Sequence, residues 1–81
     1  MQDVLDFCSS HGLDLSHEQQ VMVKTAVAKG QFIGIARGYG TARCFPAIEL
    51  RGRINVIDAA GYHQLAPPAC TLISYYNQGP R

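Results

Sequence analysis

At Gly30 the chain changes its period. Up to that residue apolar side chains recur at three- and four-residue spacing, as on one face of a helix; beyond it they come in short β-rich runs separated by glycines. A chain that switches in this way must pack helices against strands, and 81 residues supply one such core and no second. The expectation is an α+β fold, an N-terminal helical pair followed by a small three- or four-stranded antiparallel sheet. It forms a single domain over residues 1–81, helical over 1–30, mainly strands over 31–76, with a frayed tail over 77–81.

The helical half carries its own punctuation. In "QDVLDFCSSHG" Val4, Leu5 and Cys8 share a face, Asp3 and Asp6 come early and His11 late, as the helix dipole favours, and Gly12 supplies a stop. Ser16 followed by Gln19 is the S-x-x-Q capping box that opens a second helix. Along it Val23 pairs with Val27 and Met22 with Ala26, Lys24 turns to solvent, and Gly30 follows Lys29 as the C-terminal stop.

In the second half "QFIGIAR" and "RCFPAIELR" flank a glycine turn and predict a hairpin. "AIELRGRINVID" predicts another, turning at Arg51 and Gly52, with Ile48 and Leu50 before the turn and Ile54 and Val56 after it. Pro46 has no N–H to donate and is expected at a strand edge or bulge. "AAGYHQLAPPA" reads as a loop. "CTLISYY" reads as a last strand, with Leu72 and Ser74 on one face and Thr71, Ile73 and Tyr75 on the other.

A hydrophobic share of 47% against 16% charged residues suits a folded module rather than a disordered tail. No window approaches the roughly 18 consecutive apolar residues of a membrane span, and the start "MQDVLDF" lacks a basic leader region, so no membrane contact and a cytoplasmic location are expected. Cys8, Cys44 and Cys70 are an odd set with wide spacing and read as reduced thiols. Cys8 and His11 stand at i, i+3 and could join His17, Cys44, His63 or Cys70 around a metal, or a cysteine could pair with a histidine in catalysis. Without a CxxC or HxxxH anchor, small buried thiols and no cofactor are the expectation.

"GIARGYGTARC" is the stretch that bears most on function: a phosphate loop, a finger for nucleic acid, or a tight turn. The order "LSHEQQ", "FIGIARGYGT", "INVIDAAGYHQLAPP" resembles the opening of helicase- or terminase-type ATPases. That resemblance implies Gln19 facing a base, Gly38 to Thr41 facing phosphates and Asp58 holding magnesium. The chain departs from the pattern in lacking the lysine that neutralises the β and γ phosphates. Arg43 is displaced from that place, Ala59 stands where the water-activating acid belongs, and Pro46 interrupts the helix that would follow the loop.

Charge points elsewhere. Residues 1–18 hold Asp3, Asp6, Asp14 and Glu18 and neither lysine nor arginine, whereas residues 19–57 hold six Lys or Arg against Glu49 alone. Arg37 and Arg43 flank the glycine turn, Tyr39 tips it, and Arg51 and Arg53 flank the next turn. These five residues suit phosphate oxygens and base stacking, and a non-enzymatic module for single-stranded DNA or RNA is the expected function. The plainer alternative is that the arginines only keep the sheet edges hydrated. A second class of function is a protein-interaction or homodimerisation module. It would use Ile73, Tyr75 and Tyr76, with Leu65, Pro67 and Pro68, and pair through the edge of the C-terminal strand.

Overall fold

The computed structural model describes residues 2–37, 43–65 and 71–75. Helices α1 (Gln2–Ser10) and α2 (His17–Ala28) precede strands β1 (Phe32–Arg37), β2 (Cys44–Leu50), β3 (Arg53–Asp58), β4 (Gly61–Gln64) and β5 (Thr71–Ser74). The fold is α+β as expected, with one antiparallel sheet in the order β4-β3-β2-β1-β5. Among the described residues five strands stand where three or four were expected. The additional one, β4, lies in the stretch read as a loop: it is a sheet edge whose Tyr62, His63 and Gln64 are all exposed, so it carries no alternation of apolar residues. The 77–81 tail lies outside the described residues.

Local chemistry sets both helices. Ser16 Oγ accepts the Gln19 backbone N–H at 3.1 Å, and Gln19 Oε1 accepts the Ser16 N–H at 3.0 Å, completing the capping box. At the far end the Gly30 N–H donates to the Val27 carbonyl and the Gln31 N–H to the Ala26 carbonyl, with Gly30 at φ 70°. That is the Schellman stop, which places its closing residue in the left-handed region where a Cβ is unfavourable. The same pair of bonds, Gly12 to Ser9 and Leu13 to Cys8, ends α1.

The helices cover one face of the sheet. Val4, Phe7 and Cys8 of α1 and Val23 and Ala26 of α2 pack on Phe32, Ile35, Ile48 and Ile57, all buried, with Ile73 and Tyr75 closing the margin. Phe7, Phe32 and Tyr75 meet edge to face, with centroids 5.2 to 6.3 Å apart. A second, smaller cluster of Ala36, Ala47 and Val56, with Ile33, Phe45 and Leu65 against it, occupies the opposite face. Strand registers separate the faces cleanly: Ile35 pairs with Ile73 on the helix side, Ala36 with Leu72 on the other. Leu72 and Ser74 therefore share the face away from the helices, as the alternation in "CTLISYY" predicts.

Pro46 departs from expectation by sitting in β2, an interior strand, buried and paired with Ile35. The β2–β3 ladder ends at Ala47 and Val56, so Pro46 lies one residue beyond it and faces no paired residue on that side. β1 carries a bulge between Phe32 and Gly34. Gly34, at φ 151°, permits β5 to approach, because a Cβ there would run into the Ile73 carbonyl.

Candidate nucleic-acid interface

Two bonds tie the α2 segment to the sheet. Near its start, Gln19 Nε2 donates to the Ile57 carbonyl at 3.0 Å, towards the end of β3; just beyond its end, the Gln31 carbonyl accepts the Glu49 N–H at 2.8 Å, near the end of β2. The corner where β3 begins and β4 ends is left open on the helix side. A groove of about 460 Å³ occupies it, lined by Leu50, Arg51, Arg53, Asn55 and Gln64.

Register explains why these residues converge. Arg53 pairs with Leu50, Asn55 with Ile48 across β2, and Asn55 with Gln64 across β4, so Leu50, Arg53, Asn55 and Gln64 project from the face that also carries Ile48. Arg51 and Gly52 form the two-residue turn, at φ 53° and 75°. Both central residues being left-handed is the hairpin geometry that asparagine and glycine usually supply, and Arg51 occupies it at a steric cost. The turn is held by the Gly52 N–H donating to Glu49 Oε2 at 2.7 Å. Glu49 pairs with Ile54 on the opposite face, so this carboxylate does not line the groove.

The lining therefore brings two guanidiniums and two carboxamides together with no acid among them. Among the described residues neither Arg51 nor Arg53 forms an ion pair. Asn55 Nδ2 donates to the Arg53 backbone carbonyl at 3.2 Å, which ties the carboxamide to its own strand. An arrangement of planar N–H forks with adjacent amides is chemically suited to phosphate oxygens.

Of the five residues singled out by charge, Arg51 and Arg53 come together here. Arg37 ends β1 and Arg43 precedes β2, at the other end of a strand about 20 Å long. The four arginines thus form two groups, not one surface. Arg43 lies over the Phe45 ring at 5.1 Å, and Phe45 belongs to the cluster on the face away from the helices. Tyr39, with the rest of 38–42, lies outside the described residues. Asn55 and Gln64 are uncharged and nine residues apart, and sequence reading missed them; the signal available was the two-residue spacing from Arg53 to Asn55.

The residues that the ATPase resemblance singles out are spent on the fold. Gln19 uses its oxygen in the capping box and its amide on Ile57. Asp58 Oδ1 accepts the N–H groups of Ala60 and Gly61 at 2.8 and 2.9 Å, and its Oδ2 meets His63 Nε2 at 2.8 Å. Desolvation pushes the Asp58 carboxyl up, but those two N–H groups and the His63 ring outweigh it and hold the group below its ordinary value. Gly38 to Thr41 lie outside the described residues.

The Cys8 thiol is 1% exposed, and burial pushes its pKa up to about 11, which keeps it protonated and a poor nucleophile or ligand. His11 Nδ1 lies 2.9 Å from the Phe7 carbonyl. No cluster of three or more metal-ligating side chains occurs among the described residues, and Cys70 is not one of them. The patch offered for protein contact divides: Ile73 and Tyr75 pack on the main core, whereas Leu65 joins the opposite cluster. Tyr76, Pro67 and Pro68 lie outside the described residues. No helix among the described residues is long and apolar enough to cross a membrane.

Comparison with protein-family models, with curated proteins and with solved structures finds no match to this chain.

Proposed function

We propose that this chain is a small non-enzymatic module that binds single-stranded DNA or RNA, gripping a phosphate in the groove at the β2–β3 turn. The observation that carries the proposal is the composition of that groove, in which Arg51 and Arg53 stand beside Asn55 and Gln64 without a carboxylate. A guanidinium fork donates two parallel hydrogen bonds to a phosphate, and two forks side by side favour a polyanion over a neutral ligand. Arg37 and Arg43 supply a second contact at the other end of β2, where a longer strand reaches them. The +5 balance of residues 19–57 draws the polyanion to this half of the molecule. The test is titration of a labelled single strand at graded salt, with Arg51→Ala and Arg53→Ala together against Lys24→Ala on α2.

A second function is favoured by one observation, the position of β5 at a sheet edge with Leu72 39% exposed. An edge strand is a template for pairing with another chain, including a second copy of this one. Sedimentation across a concentration series reads that outcome directly.

A further inference from the structure

A phosphate alone would fill little of the β2–β3 groove. Its volume is about 460 Å³ and it is open to solvent, with Arg51, Arg53 and Gln64 exposed. Its lining is also graded. The two arginines stand at the turn, Asn55 and Gln64 lie further along the paired strands, and Leu50 supplies the apolar part of the lining.

The carboxamides are what a phosphate site does not require. Asn55 and Gln64 oppose each other across β3 and β4, and each presents a donor beside an acceptor. The edge of a nucleobase presents the same alternation, and unpaired bases in single strands are read on those edges. Asn55 spends one N–H on the Arg53 carbonyl, leaving its oxygen and a second N–H; the Gln64 carboxamide makes no hydrogen bond among the described residues.

We infer that the groove accepts one nucleotide as a unit, its phosphate on Arg51 and Arg53, its base against Leu50 with the edge on the Asn55–Gln64 pair. The inference rests on the phosphate contact proposed above and adds that the site distinguishes a strand with bases from a bare sugar-phosphate chain.

The experiment measures fluorescence anisotropy with two labelled strands of equal length and charge, one of mixed sequence and one abasic throughout. Wild type should bind the base-bearing strand about tenfold more tightly. Asn55→Ala with Gln64→Ala should reduce that preference several-fold while leaving the salt dependence unchanged, because no charge is removed. Gln64→Ala alone, on an exposed edge strand, should reduce the preference and keeps the test open if the double variant fails to fold. Equal affinity of wild type for both strands, or a preference that both substitutions leave undiminished, overturns base reading and leaves the phosphate contact standing. Absence of binding to either strand overturns both.

Discussion

Gln19 on α2 donates its side-chain N–H to the Ile57 carbonyl on β3 at 3.0 Å while its oxygen closes the capping box with Ser16. One carboxamide thus closes the capping box and ties the first turn of α2 to β3, while no helix residue lines the groove at Arg53, Asn55 and Gln64. Gln19→Ala should destabilise the protein by about 1–2 kcal/mol, the sum of a Ser16 N–H left without its acceptor and an Ile57 carbonyl left without its donor. Gln19→Glu keeps the acceptor of the box and loses only the donor, so its loss should be smaller. Urea denaturation of both variants checks the order; equal losses would mean that the Gln19 oxygen contributes nothing to the cap, and no loss in Gln19→Glu would mean that the Ile57 bond contributes nothing.

Arg51 holds a left-handed backbone, at φ 53°, in a turn where glycine would be unstrained. Arg51→Gly should raise stability by roughly 1 kcal/mol through relief of that strain, offset in part by the greater freedom of glycine in the unfolded chain. The same substitution should weaken binding to a single strand. Opposite signs in the two measurements mark a residue retained for binding at the expense of the fold. Loss of stability in Arg51→Gly would show that the side chain is structural.

The turn between β3 and β4 should respond to acid. Asp58 is held below its ordinary carboxyl value, so the folded state binds fewer protons than the unfolded state as pH falls through the carboxylate range. Its contribution is complete above the unfolded value of 3.8 and is lost as pH drops through the lower folded value. Asp58→Asn keeps an acceptor for the Ala60 and Gly61 N–H groups and does not titrate. The Tm advantage of wild type over Asp58→Asn, measured from about pH 6 to about pH 2, should shrink at the acid end. An advantage that does not change with pH would contradict the assignment.

Much of this architecture is legible in the sequence because its cues are local. Ser16 and Gln19 mark a helix start, Gly12 and Gly30 mark stops, and Arg51–Gly52 marks a turn, each within a few residues of the bonds it makes. What escaped depends on contacts made at a distance. β4 is recognised as a strand only by its pairing with β3, since Gly61–Gln64 holds no buried side chain. Pro46 is tolerated inside β2 because the neighbouring ladder stops one residue short of it, which no local pattern records. The candidate site behaves likewise. Arg51 and Arg53 announce themselves by charge and proximity, but Asn55 and Gln64 join them through strand register, and the same register carries Arg37 and Arg43 to the far end of β2.

The measurement that bears most directly on the phosphate groove is the salt dependence of single-strand binding in wild type, Arg51→Ala/Arg53→Ala and Lys24→Ala, each first confirmed as folded by circular dichroism. Each phosphate contact on a single strand contributes about 0.7 to the slope of log affinity against log salt. The double variant should bind more weakly and lose about 0.7 from that slope, the one phosphate that the two arginines share, with Lys24→Ala, on the exposed side of α2, close to wild type. A slope in the double variant equal to that of wild type, or an equal fall in Lys24→Ala, would contradict a phosphate site in the β2–β3 groove.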